Sequence, residues 1–167
     1  MRRHRSQDLL DNVVARNELA GLAEDLRKSG KKIVTTNGCF DILHVGHTRI
    51  LKQARALGDV LVVGINSDDS VRRLKGPTRP INSQDDRAEV LASLACVDYV
   101  TIFDEDTPVE FLKEIKPDIH VKGSDYSPEK LEETPVVESF GGKVHILALV
   151  PGKSTSGVVD RIAGGQP

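Results

Sequence analysis

Five short runs rich in valine, isoleucine and leucine recur along the chain, separated by stretches of helical periodicity. They are KKIVTT (31–36), DVLVVGINS (59–67), DYVTIF (98–103), PDIHVKG (117–123) and GKVHILAL (142–149). The second is apolar without alternation, as a parallel strand covered on both faces should be. Between the runs, apolar residues return every three or four positions: Ile50, Leu51, Ala54 and Leu57 share one face of 46–58. A second helix over 83–95 starts at an N-capping Ser83 with Asp85 and Asp86 in its first turn. A third, 107–115, has Thr107 as cap and Pro108 at its first position, and a last one over 154–162 opens on Ser154. Strands alternating with crossover-length helices predict one doubly wound α/β domain: about five parallel strands with helices on both faces.

Ahead of it, Leu9, Val13, Leu19, Leu22, Ala23 and Leu26 predict a helix from Asp8 to Lys28, stopped at Ser29-Gly30. This divides the chain into an N-terminal helical extension (1–30), the α/β domain (31–163) and a tail (164–167). A formal net charge of −2 gives no global reason to coat nucleic acid or a membrane surface. The only two cysteines, Cys39 and Cys96, are far apart, which suits a reduced cytoplasmic protein rather than a disulfide scaffold. No apolar run approaches the roughly 20 residues of a membrane span. The charged start MRRHRSQDLLDN lacks the apolar stretch of a secretory signal.

In a doubly wound sheet, ligands bind outside the carboxyl ends of the strands. Segments 37–47, 66–79, 122–126 and 150–156 would open onto that one rim. The first carries His44 and His47, three apart, where strand turns into helix. Zinc would need a third ligand of suitable chemistry, and no other dense His/Cys cluster is present. Simple packing at a helix start is a second reading. The third is a phosphate grip: Gly38 and Gly46 permit close backbone approach, the helix start points N–H groups at an anion, and imidazoles add hydrogen bonds. The basic loop VRRLKGPTR (71–79) brings Lys75 and Arg79 to the same rim, with Arg72 and Arg73 read as surface charge. Ser154, Thr155 and Ser156 supply cap hydroxyls and helix-start amides, a second anion site.

GCFDILHVGH resembles the HxGH signature of the nucleotidyltransferase superfamily, relatives of the class I aminoacyl-tRNA synthetases. The resemblance runs over nearly the whole chain through TNGCFDILHVGH, INSDDSVRRLKGPTRP, VDYVTIFDEDTP, PDIHVKGSDY and GKSTSGVVDRI. As an ordered set these are most similar to the branch that adenylylates D-glycero-D-manno-heptose 1-phosphate. The resemblance implies a Rossmann-like nucleotidyltransferase domain over 31–163. It implies His44, His47 and Lys75 as catalytic groups on the phosphates. Asn37, Gly38, Cys39, Phe40, Asp41, Asn66, Lys122, Gly123, Ser154, Thr155 and Ser156 would border the nucleotide. Asp41, Arg79, Arg87, Asp125 and Tyr126 would lie on the sugar-phosphate side. For Phe40 ordinary core packing is the competing reading, and no base beside Cys39 suggests thiol chemistry.

Val150-Pro151-Gly152-Lys153 stands where glycerol 3-phosphate cytidylyltransferases carry an arginine-threonine-glutamate-glycine stretch, which favours the adenylyl branch. The implied reaction is in-line attack by a sugar phosphate oxygen on the α-phosphorus of ATP. That phosphate is already anionic near neutral pH, so no strong general base is required. The resemblance also implies a substrate-bridging Mg²⁺ with no dedicated protein metal site. ATP and a sugar 1-phosphate are the expected partners, with no nucleic acid and no membrane. A homo-oligomer is expected, and a separate sugar kinase upstream. A cytidylyl- or FAD-forming transferase and a non-catalytic nucleotide-binding module are the alternatives.

Overall fold

The computed structural model describes residues 12–125, 127–148 and 151–164. Five parallel strands form one sheet: β1 (Ile33–Gly38), β2 (Val60–Asn66), β3 (Tyr99–Phe103), β4 (Ile119–Gly123) and β5 (Lys143–Leu147). Their order is β3-β2-β1-β4-β5. The chain winds outward from β1 to β3, then crosses to the other side of β1 to lay down β4 and β5. The reversal between β1 and β4 opens a crevice at their carboxyl ends.

Among the described residues seven helices cover the faces: α1 (Leu19–Lys28), α2 (Val45–Arg55), α3 (Asp68–Lys75), α4 (Gln84–Ala92), α5 (Val109–Ile115), α6 (Glu133–Ser139) and α7 (Thr155–Gly164). The side-chain period of 2 explains how β2 serves two layers. Leu61, Val63 and Ile65 join Leu51 and Ala54 of α2 and Ala88 and Leu91 of α4 in one cluster. Val60 and Val62 join Leu19 and Ala23 of α1, Phe111 and Leu112 of α5, and Val137 of α6 in the other. The doubly wound α/β architecture expected from the strand pattern is therefore the one observed.

Ser83 is the cap expected: its Oγ accepts from Asp86 N at 3.2 Å. Ser67 caps α3 in the same way, its Oγ accepting from Ser70 N at 3.2 Å. Thr107 is not a cap: α5 begins after Pro108, with no side-chain hydrogen bond at that end. The expected helix from Asp8 also needs correction, its first residues lying outside the described ones. Ala15 is extended, Val13 forms a parallel bridge with Val100, and Val14 N donates to Val100 O at 2.8 Å. A short 3-10 turn (Arg16–Glu18) precedes α1. The open edge of β3 offers unpaired backbone groups, and pairing with them overrides the helical spacing of Val13. Among the described residues no helix is long and apolar enough to cross a membrane.

Candidate active site

A cleft of about 970 Å³ lies over the carboxyl ends of the strands. Its first wall is the turn from β1 into α2. Phe40 takes φ 48°, a left-handed value that costs a non-glycine residue about 1–3 kcal/mol and turns the chain sharply out of the strand. Gly38 and Gly46 both line the cleft and make room for neighbouring side chains. A Cβ at Gly38 would meet the Phe40 ring at 3.0 Å, and one at Gly46 would meet His44 Cε1 at 2.8 Å.

His44 caps α2: Gly46 N donates to its Nδ1 at 3.1 Å. His44 N in turn donates to His47 Nδ1 at 3.4 Å. The two rings stack with centroids 3.9 Å apart and planes at 23°. With both Nδ1 atoms accepting from backbone N–H groups, each imidazole carries its proton on Nε2. Burial, and then the neighbouring His44, push the His47 pKa down to about 4. Burial and the Lys153 ammonium lower that of His44. At neutral pH the site therefore holds two uncharged imidazoles, each a hydrogen-bond donor through Nε2.

The last helix starts beside them. Thr155 Oγ1 donates to Ile42 O at 3.2 Å, fastening α7 to the loop that carries His44. Ser154 Oγ accepts from Gly157 N at 3.0 Å, the predicted cap, and Ser156 lines the same cleft. Imidazoles from the start of the sheet and hydroxyls from the last helix thus share one opening.

The basic loop forms another wall. Lys75 ends α3, exposed and lining the cleft. Asp41 is buried, and its carboxylate holds the loop. It accepts from Arg79 Nε at 2.6 Å, Ile81 N at 2.8 Å and Asn82 N at 3.0 Å. Burial alone would raise its pKa, but the backbone donors Asn82 and Ile81, with Arg79, outweigh it and hold the carboxyl below the usual range. Asp41 and Arg79 both line the cleft, yet they are engaged with each other. Arg87 departs further from expectation. It is buried and absent from the cleft lining, its guanidinium donating to Cys39 O at 2.6 Å, Asn82 O at 3.1 Å and Asp68 Oδ1 at 2.9 Å. It braces the wall from behind because Asp68 and those two carbonyls surround it.

Asn66 is buried at the end of β2 with its amide nitrogen donating to Ser70 Oγ at 3.0 Å. Burial pushes the Cys39 thiol pKa up, so the thiol stays protonated and unreactive. On the β4 side, Lys122, Gly123 and Asp125 line the cleft, and Lys122 Nζ donates to Asn37 Oδ1 at 2.9 Å across the switch point. Tyr126 lies outside the described residues. Three contributors lie outside the expected set. Lys153 sits against Gly46 and His44, and its place directly before the serine cluster was the available signal. Glu133 pairs with Lys122 at 2.9 Å. Asp106 lines the cleft. Arg73 is exposed, as expected, and binds Asp106 Oδ1 at 2.7 Å and the Asp104 carbonyl, tying α3 to the end of β3.

Residues 35–156 match the family model described as cytidylyltransferase-like. The bifunctional protein HldE of Syntrophotalea carbinolica is 50% identical over 159 residues, covering 95% of this chain and 32% of that one. Its counterpart in Geobacter metallireducens is 54% identical over 144 residues, 86% of this chain and 29% of the relative. The chain thus spans about a third of the length of these curated relatives. A solved lipopolysaccharide core biosynthesis protein from Thermoplasma volcanium superposes with TM-score 0.58 at 33% identity, over 72% of this chain and 98% of that one. A pantoate-beta-alanine ligase from Francisella tularensis, 16% identical with TM-score 0.57 over 86% of this chain and 68% of that one, shares the fold. With the paired histidines at the head of α2, the sheet order and the span of the match in agreement, the chain belongs to the cytidylyltransferase-like family of nucleotidyltransferases.

Proposed function

We infer that this domain transfers AMP from ATP to D-glycero-D-manno-heptose 1-phosphate, yielding ADP-heptose for lipopolysaccharide core synthesis and releasing pyrophosphate. The observation that carries the reading is the pair of neutral, Nε2-protonated imidazoles, backbone-locked at the start of α2 and fastened to the start of α7. Half-identity to the bifunctional HldE proteins and the likeness to the Thermoplasma lipopolysaccharide core biosynthesis protein support the acceptor.

The sugar phosphate oxygen attacks the α-phosphorus, the bond to the bridging oxygen breaks, and pyrophosphate carries away the charge. The attacking oxygen is already ionised, so the chain's task is positioning and charge stabilisation. His44 and His47 donate to the reacting phosphate without needing to be cations. Lys75 and Lys153 supply positive charge, and the amides of Ser154, Thr155 and Ser156, with the Ser154 and Ser156 hydroxyls, hold the departing pyrophosphate. Asn37, Gly38, Phe40 and Gly123 line the nucleotide side, and Asp125 and Arg79 border the acceptor. Asp41 serves the loop rather than the sugar.

A magnesium ion, where bound, would be held by the triphosphate oxygens and would offset part of their charge. Among the described residues no group of three His, Cys, Asp or Glu side chains is placed to hold a metal ion. The test is pyrophosphate release with ATP or CTP against a panel of phosphorylated acceptors. ATP with heptose 1-phosphate should turn over fastest. A preference for CTP, or for a different acceptor, would refute the assignment.

A further inference from the structure

Asn37, Lys122 and Glu133 form a polar cluster that phosphate chemistry does not use. Asn37 and Lys122 stand at the carboxyl ends of β1 and β4, on opposite sides of the switch point. Lys122 Nζ donates to Asn37 Oδ1 at 2.9 Å and pairs with Glu133 Oε1 at 2.9 Å. The Lys122 and Glu133 side chains are only 10% and 6% exposed, yet all three residues line the cleft. One rung lower on the same face, Thr35 Oγ1 and His120 Nδ1 are 2.8 Å apart and fully buried. The cluster therefore rests on a second cross-strand polar pair.

Stability is a weak reason to keep such a pair, since an apolar pair of similar volume would hold α6 on the sheet at least as well. Position and charge say more. Asn37 and Lys122 project on the face covered by α1, α5 and α6, where Ile33 packs. His44 and His47 belong to α2, packed on the opposite face. A substrate spanning the rim would meet the phosphate grip from one layer and this cluster from the other. The ammonium and carboxylate compensate each other, so the cluster adds no net attraction for phosphate. Lys122 orients the other two, leaving the second Glu133 oxygen as acceptor and the Asn37 amide nitrogen as donor, the complement of neutral hydroxyls.

We propose that Glu133, Lys122 and Asn37 read a pair of neighbouring hydroxyls on the substrate and set specificity for them. The proposal rests on the nucleotidyltransferase reading of the cleft. Such hydroxyls occur on the nucleotide ribose and on the acceptor sugar, and the test separates the two. Calorimetry would compare ATP, 2′-deoxy-ATP and 3′-deoxy-ATP. Initial rates would compare heptose 1-phosphate with sugar 1-phosphates lacking each ring hydroxyl in turn, all with the wild type and Glu133→Gln.

One analogue should bind or react roughly 10- to 100-fold less well with the wild type, because a buried carboxylate loses its partner. Glu133→Gln should lose a similar factor on the intact substrate and little more on that analogue. Loss in the ATP series assigns the cluster to the ribose, and loss in the acceptor series to the sugar. A wild type indifferent to every hydroxyl overturns the proposal, as does a Glu133→Gln loss that is equal for all analogues. The wild-type comparison decides even if Glu133→Gln misfolds. The ATP series needs binding alone, so absence of turnover with heptose 1-phosphate would refute the proposed reaction while leaving that series decisive.

Discussion

Replacing Asp41 by asparagine separates a loop-holding carboxylate from a substrate-binding one. In the native protein its two oxygens receive Arg79 Nε at 2.6 Å, Ile81 N at 2.8 Å and Asn82 N at 3.0 Å, and the side chain is 1% exposed. Asparagine keeps one acceptor oxygen and turns an NH₂ group toward one of these donors. The charge-assisted bond to Arg79 goes, worth about 1.5–3 kcal/mol, and one buried donor is left facing another. Part of the penalty is relieved because loop 76–83 can open locally. The net expected loss is about 3 kcal/mol. With a urea m-value of about 2 kcal/mol/M, the unfolding midpoint should fall by roughly 1–1.5 M. Weaker acceptor binding should accompany it, because Arg79 loses its support. A midpoint within about 0.2 M of wild type, with KM for the sugar phosphate alone raised, would place Asp41 on the substrate and refute the reasoning.

Removing an imidazole tests the donor pair: His44→Ala should lower turnover by roughly 100-fold or more while unfolding remains cooperative, and unchanged turnover in a folded variant contradicts its role. Ser154→Ala should cost about 1 kcal/mol of stability through the lost cap and weaken ATP binding as well, measured by thermal unfolding and calorimetry. Acid titration has a defined sign. His120, fully buried, is pushed by burial and then by Lys122 down to about 3, and His47 to about 4, whereas unfolded histidine titrates near 6.5. Below about pH 6.5 the unfolded chain takes up protons that the native one refuses. Stability is therefore full above that pH and falls toward pH 4, by up to about 1.4 kcal/mol per pH unit for each histidine. His120→Gln should flatten that slope in urea unfolding between pH 6 and 4, and an unchanged slope would count against it.

The strands and the rim were legible because burial on both faces of a parallel sheet leaves a strong local signature, as in Val60–Asn66. The histidine pair was legible because strand end, turn and helix start are contiguous in sequence. What stayed hidden depends on partners far along the chain. Arg87 looks like any helical arginine until Cys39 O, 48 residues away, is found at 2.6 Å. Glu133 lies in an ordinary acidic stretch, and only the β4–α6 packing brings it to Lys122. Asp41 sits within the motif, and its engagement with Ile81 and Asn82, about 40 residues later, is invisible in that motif. Val13 fitted a helical spacing, but the open edge of β3 claimed it.

Imidazoles and helix-start serines meeting around one triphosphate are the core of the mechanism, and a crystal structure with a non-hydrolysable ATP analogue tests that most directly. It should place the α-phosphate within hydrogen-bond distance of the His44 and His47 Nε2 atoms, with the outer phosphates at the amides of Ser154–Ser156. A triphosphate bound away from either cluster would contradict it.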